Sequence, residues 1–376
     1  MFKKMILILI GLVLVTGCED LGGSYSNVKS LSKTMVPRWT MHGGDIIDIN
    51  ETIDRISLRE GNWVKEWGKT AEKYQQKAEE LIADNNFDDA KYMLMKSSVY
   101  YRLAAYPYPL DAEQEDAYKK CVKNFTEANK FFSNPPQRVE IALEGKKIIG
   151  NFRHPIENKR YPLVILIPGL DSNKEELYWC EDRFLNQGWA TFSLDMPGTG
   201  ESIWPLRVES DRVFQAVFEH FQKSSYIEKD KIAVVGFNFG GYWAVRLAAQ
   251  NNKVLAVVDV AGPIHYAFQS SYINKLPGYI QNILKKASGE QDYAGFAKIS
   301  PDFSLRKDNL LDKLAVPCLA INSRNNFLVP VEDAYIFAEI GTAPGLIKIY
   351  PDDQYGFAEH ISDVYALVLQ WLQQYK

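Results

Sequence analysis

The chain has 376 residues, 46% of them hydrophobic and 24% charged, with a formal charge of −4. That length allows one large domain, or a large one with a smaller one, and the composition is enough for a full core. The mildly acidic balance argues against nucleic acid or an anionic membrane surface as a partner.

The first residues read as a targeting segment. Lys3 and Lys4 precede an apolar run, Met5 to Val15, that ends in Thr16-Gly17-Cys18. A basic start, a short apolar stretch and small residues before a cleavage point make a secretory signal. The run is shorter than the ~20 residues a membrane span needs. Val15-Thr16-Gly17-Cys18 matches a bacterial lipobox, so residues 1–17 are expected to be removed and Cys18 to carry lipid. The expected location is the cell envelope, lipid-anchored on the periplasmic face of the inner or outer membrane. Cys121, Cys180 and Cys318 then remain, enough for one disulfide at most and without metal-ligand spacing. They read as packed thiols.

Residues 18–55 are polar with scattered Gly and Ser and read as a tether. A helical cap is expected over 56–135. Trp63, Trp67, Tyr74, Ala78 and Leu81 recur at roughly helical spacing until Asn85-Asn86 breaks the pattern. Ala90, Met93, Met95, Val99, Leu103 and Ala104 form a second stripe, ended by Pro107 and Pro109. Tyr118, Cys121, Phe125 and Ala128 mark a third helix.

The main domain is expected over 136–376. Arg138 to Phe152 alternates around Glu144-Gly145, as a β-hairpin does. Continuous apolar runs follow at Leu163–Ile167, Ala190–Leu194, Ile232–Val235, Leu255–Val258, Cys318–Ile321 and Leu346–Ile349. Separated by helical stretches, they imply an α/β fold with a mostly parallel sheet covered on both faces. Residues 264–314 have little strand character and read as a lid insertion.

The loops after these strands carry the functional signal. Gly236-Phe237-Asn238-Phe239-Gly240 has the outline of the nucleophile elbow, the sharp strand-to-helix turn that lifts a serine above an α/β-hydrolase sheet. Asn238 stands where the serine would be, and a carboxamide cannot form a useful acyl intermediate. Pro168-Gly169-Leu170-Asp171 should supply one backbone donor of an oxyanion hole, and the N–H of Phe239, beside Gly240, the other. Asp195-Met196-Pro197-Gly198-Thr199-Gly200-Glu201-Ser202 is a turn frequent in such hydrolases.

The triad's acid is expected at Asn326, in Asn326-Phe327-Leu328-Val329-Pro330, and its base at Tyr355, in Tyr355-Gly356-Phe357. An asparagine can orient an imidazole but not stabilise an imidazolium, a loss of ~10⁴ in kcat in a serine protease. Tyrosine, with a pKa near 10, is a poor base at neutral pH. Three neutral residues thus occupy the Ser, Asp and His places. His265 with Asp259, or His360 at the start of the last helix, are the possible substitutes.

From about residue 55 to the C-terminus the chain resembles the fermentation–respiration switch (FrsA-like) family of α/β hydrolases with an N-terminal helical cap. The resemblance rests on Arg59-Glu60-Gly61-Asn62-Trp63-Val64-Lys65-Glu66-Trp67, Ala104-Ala105-Tyr106-Pro107, the loops at 169–171 and 194–197, Gly236–Gly240, Ala244–Ala248 and Ala261–His265. It implies an esterase-like ancestry, and a branch similar to this chain in lacking the elbow serine, with arginine at the place of Asn238. That branch's association with the cytosolic phosphotransferase component IIA(Glc) is not carried over, because an export signal would put this chain across a membrane from it. The reading is a degenerate hydrolase that binds a small molecule or an envelope protein, without cofactor or metal. The alternative is an active esterase-like enzyme using His265, Asp259 or His360.

Overall fold

The computed structural model describes residues 34–58, 62–156, 159–340, 345–354 and 357–376. Residues 1–17, Cys18 and Tyr355 lie outside them. The chain enters as a short helix α1 over 34–41, followed by α2 (Ile46–Leu58). Three long helices come next: α3 (Trp63–Ala83), α4 (Phe87–Ala104) and α5 (Ala112–Asn129). Each of the three starts on a capping side chain. Asn62, Asn86 and Asp111 accept from the backbone N–H three residues on, satisfying a donor that the helix itself leaves open.

The expected tether is shorter than 18–55, because the folded body has begun by residue 34. Met35 and Trp39 of α1 and Ile49, Ile53 and Ile56 of α2 are buried in the cap's core. Trp39 lies edge-on to Trp63, Trp67 and Tyr106 at 6.2, 5.9 and 5.7 Å between ring centres. The isoleucines recur at i, i+4 and i+7, a helical face. The acidic and amide residues between them dilute the mean hydropathy, which is why the segment reads as polar.

The main domain holds one eight-stranded sheet in the order β1-β2-β4-β3-β5-β6-β7-β8. Its strands are β1 (Gln137–Leu143), β2 (Lys146–Arg153), β3 (Tyr161–Ile167), β4 (Ala190–Leu194), β5 (Ile227–Phe237), β6 (Val257–Val260), β7 (Cys318–Ser323) and β8 (Gly345–Tyr350). β1 and β2 form the expected hairpin, with Glu144 and Gly145 both at positive φ in the turn. β2 pairs antiparallel with β4, and every pairing from β4 to β8 is parallel.

Helices cover both faces. α6 (Lys174–Leu185) and α13 (Ile361–Leu372) pack one side, through Leu177, Phe184, Val364, Tyr365 and Val368. α7 (Arg212–Gln222) and α8 (Phe239–Gln250) pack the other, through Phe214, Phe218, Tyr242 and Trp243. The insertion contains α9 (Ser270–Ile273), α10 (Gly278–Ser288) and α11 (Tyr293–Ile299); α12 (Glu332–Tyr335) follows β7.

The connection from β3 runs to β4 on one side, and β5 then returns to the other side of β3. The strand order therefore reverses between β3 and β5, where open α/β sheets form their ligand crevice beyond the strand ends. Ile167 of β3 stands opposite Gly236 of β5, so the loops after these two strands must meet.

Candidate functional site

The elbow is built as the sequence suggests. Asn238 has φ 48° and ψ −126°, a backbone conformation that L-residues rarely adopt. Its neighbours hold it there. The Asn238 N–H donates to the Val260 carbonyl at 2.7 Å, and its own carbonyl accepts from Gly241 N–H at 2.8 Å. The turn needs space below it: a Cβ on Gly240 would lie 2.1 Å from the Ile167 carbonyl oxygen. A Cβ on Gly169 would lie 2.8 Å from the Cβ of Asn238, so the donor loop rests directly against the elbow residue. The half-buried Asn238 side chain caps no N–H of α8. Phe239 is the first residue of α8, so its N–H is among those with no intrahelical acceptor. Its ring packs edge-on against Phe268 and Phe303 from the insertion, at 5.8 and 5.7 Å.

The donor loop is clamped from the cap. Arg38 Nη1 meets Asp171 Oδ2 at 2.6 Å, its Nη2 donates to the Asp171 carbonyl at 3.2 Å, and its Nε donates to Glu176 at 3.1 Å. Arg102 Nη2 donates to the same Asp171 carbonyl. Glu176 also meets His42 Nδ1 at 2.6 Å and accepts from Ser172 Oγ at 2.8 Å. Burial opposes ionisation of Glu176, but Arg38, His42 and Arg102 outweigh it and hold the carboxyl well below the usual range. Burial would likewise lower the His42 pKa; Cys180 and Glu176 outweigh it and raise it to about 9. Leu170, between Gly169 and Asp171, is half-buried against the main core.

A second charge cluster underlies the loop after β4. The fully buried Lys174 ammonium lies 2.8 Å from Glu175, 2.9 Å from Asp195 and 2.7 Å from Glu201. Asp195 also accepts the backbone N–H groups of Lys174 and Glu201, each at 2.9 Å. It is thus a structural carboxylate that shapes two strand-end loops.

The expected acid and base positions are spent locally or lie outside the described residues. Asn326 donates to Asn322 Oδ1 at 2.8 Å and accepts from the N–H groups of Leu328 and Val329 at 3.0 and 3.3 Å, which folds the turn after β7. Tyr355 and Gly356 are not described; Phe357 beside them packs on Phe237, just before the elbow residue, at 5.8 Å. His360 begins α13, stacks on Tyr350 at 4.5 Å and meets Asp352 at 3.3 Å.

Asp259 and His265 are not brought together. The Asp259 carboxylate is buried under Gly241 and accepts from Gly262 N–H at 2.8 Å. Burial raises its pKa; the Gly262 bond lowers it and the Asp333 charge raises it again, to about 8. His265 Nδ1 instead meets Ser304 Oγ at 2.7 Å, and Nε2 accepts from the Gln269 amide nitrogen at 3.1 Å.

Sequence reasoning missed Arg38, His42, Arg102, Glu176 and Asp333. The first two lay in the supposed tether. Asp333 is fully buried and accepts four backbone N–H groups, from Ile264, His265, Tyr266 and Ala267, at 2.6 to 3.1 Å. Its signal was an acidic residue just after β7, where the triad acid is sought, but it binds backbone rather than an imidazole. The described Cys121, Cys180 and Cys318 are free, buried thiols. Among the described residues no group of three His, Cys, Asp or Glu side chains is placed to hold a metal ion.

This architecture has known counterparts. A family model described as "Esterase FrsA-like" matches residues 44–374. The Esterase FrsA of Photobacterium profundum is 26% identical over 363 residues, covering 90% of this chain and 86% of that protein. The Esterase FrsA of Vibrio parahaemolyticus is 28% identical over 292 residues, covering 75% and 69%. Among solved structures, the 2,6-dihydroxy-pseudo-oxynicotine hydrolase superposes with a TM-score of 0.79 at 22% identity, covering 90% of this chain and 95% of its own. AbyA5 gives 0.77 at 15%, covering 94% and 96%. At these identities the two structures show a shared α/β-hydrolase fold.

Proposed function

The chain belongs to the FrsA-like esterase family, and we propose that within it the elbow serves as a binding site rather than as a serine-hydrolase centre. The observation that carries this reading is Asn238 at φ 48°, ψ −126°. The strained turn and its donor loop are kept, while the atom that would attack is an amide. Backbone donors of this kind stabilise a carbonyl oxygen or a carboxylate in a crevice between low-dielectric walls. They do so without a nucleophile, so a small acyl or carboxylate ligand can be held and not cleaved. Asn326, folded into its own turn, has no carboxylate with which to stabilise an imidazolium. We place the protein at the bacterial cell envelope, anchored through lipid on Cys18. The export motif at 15–18 supports that placement.

A soluble form beginning at about residue 24 tests the site reading. Short acyl p-nitrophenyl esters should show no turnover that depends on Asn238. Turnover that disappears in Asn238→Ala would overturn the proposal. For the anchor, metabolic labelling with radioactive palmitate should mark the wild-type chain and not Cys18→Ala.

A further inference from the structure

We propose that the cavity between α8 and the turns preceding β7 is a second binding site, for a zwitterionic ligand of dipeptide size. The cavity holds about 360 Å³, inside the ~300–1,000 Å³ range of small-ligand pockets. Its lining includes neither Asn238 nor the donor loop, so it is separate from the elbow. Three segments line it. Val208 and Glu209 come from the turn before α7, and Arg246 and Gln250, four residues apart, from one face of α8. Ser304, Lys307, Leu310 and Lys313 come from the third segment. They recur every three residues through the 3₁₀ turns Lys307–Asn309 and Leu311–Lys313, and side chains at that spacing line up along one edge.

The charges in that lining select the ligand. Lys307 is held by Asp302, which also lines the cavity, at 2.6 Å, and Arg246 by Asp211 at 2.9 Å. Those two cations are already compensated. Lys313 and Glu209 are not: among the described residues neither meets an opposite charge within 4.0 Å, and they do not meet each other. An ammonium and a carboxylate that share a cavity without touching match a molecule that carries both charges apart. Its ammonium lies on Glu209 and its carboxylate on Lys313, the form of a free dipeptide. A simple anion would leave Glu209 unmatched, and a simple cation Lys313. Val208 and Leu310 offer apolar surface for aliphatic side chains, and the Gln250 carboxamide can bond a peptide group.

Ser304 adds an oriented donor. The Gln269 amide nitrogen donates to His265 Nε2 at 3.1 Å, which leaves the ring proton on Nδ1. Nδ1 in turn donates to Ser304 Oγ at 2.7 Å. Burial, and after it the Arg306 charge, lower the His265 pKa, so the ring stays neutral and in this tautomer at pH 7. Ser304 Oγ is thus an acceptor toward the imidazole and keeps its own O–H for a ligand carbonyl or carboxylate. The donors run one way, from carboxamide to imidazole to hydroxyl, and each bond polarises the next.

The test is isothermal titration of the soluble form with leucyl-leucine and two analogues. N-acetyl-leucyl-leucine lacks the ammonium, and leucyl-leucinamide lacks the carboxylate. The expected result is saturable binding of leucyl-leucine, with each analogue at least ~5-fold weaker, the worth of one charge contact at a partly exposed site. Glu209→Gln should erase the preference over the acetylated analogue and keep that over the amide; Lys313→Met should do the reverse. Both residues are exposed, so neither change disturbs the core. Asn238→Ala should bind leucyl-leucine as the wild type does, which separates this site from the elbow. No saturable binding of leucyl-leucine, equal binding of the three compounds, or preferences unmoved by the two substitutions would overturn the proposal.

Discussion

Replacing Asp259 by asparagine should remove a large alkaline penalty on stability. Asp259 is 2% exposed and its carboxylate accepts only one backbone N–H, so ionisation in the fold is poorly compensated. Its pKa rises from the usual 3.8 to about 8. A raised carboxyl pKa means that the native state holds the proton longer than the unfolded chain. The associated stability is fully present below the usual value and is lost as pH rises through about 8. Each pH unit in that window removes about 1.4 kcal/mol, so about 4 kcal/mol disappears between about pH 5 and about pH 8. Asparagine has the same shape, keeps an oxygen for the Gly262 N–H and has no proton to lose. Guanidinium unfolding of both proteins across this range should give curves that diverge by that amount, with Asp259→Asn gaining as pH rises. Asp333, raised to about 6, adds a smaller slope at the acid end, shared by both proteins. Parallel curves would show that Asp259 is already ionised in the fold and refute the reasoning.

Three further outcomes follow from the same structure. Arg38→Ala leaves Asp171 and Glu176 with less countercharge in a buried setting, and should cost roughly 3–5 kcal/mol in a denaturant melt. Amide exchange in the 169–173 segment should speed up more than in β5. His42, raised to about 9, contributes stability that is complete below its usual pKa of 6.5 and is lost as pH rises through about 9. His42→Gln should flatten that limb of the stability profile, measured by the same unfolding series. Gly240→Ala would place a Cβ 2.1 Å from the Ile167 carbonyl oxygen, so the turn must shift; a loss of about 3 kcal/mol in thermal or denaturant melts is expected.

The sheet was legible because buried parallel strands write themselves as unbroken apolar runs. Ala190–Leu194 matches the observed strand residue for residue, and Cys318–Ile321 extends by only two. Leu255–Val258 is two residues early, since Leu255 and Ala256 are as apolar as the strand they lead into. The elbow was legible because a tight turn needs glycine at fixed places. What escaped notice depends on distance in sequence. Arg38 and Asp171 are 133 residues apart, and nothing local marks either as the other's partner. The pairing of His265 with Ser304, rather than with the nearer Asp259, is likewise a product of how the insertion folds back. Trp39 shows the same limit in the cap: a lone tryptophan in a polar stretch gives no sign of the three rings that surround it.

The locking of residue 238 from below has a consequence for evolution. The carbonyls of Ile167 and Val260 and the absent side chain of Gly240 set the turn's shape through backbone contacts, not through the side chain of residue 238. A substitution at 238 alters the reagent without releasing the backbone, so selection can exchange one for another while the scaffold persists. The same rigidity makes the position a socket. A lineage can pass from cleaving a ligand to holding it by a single change at one residue, whereas the way back from this chain would also need the positions now held by Asn326 and Tyr355.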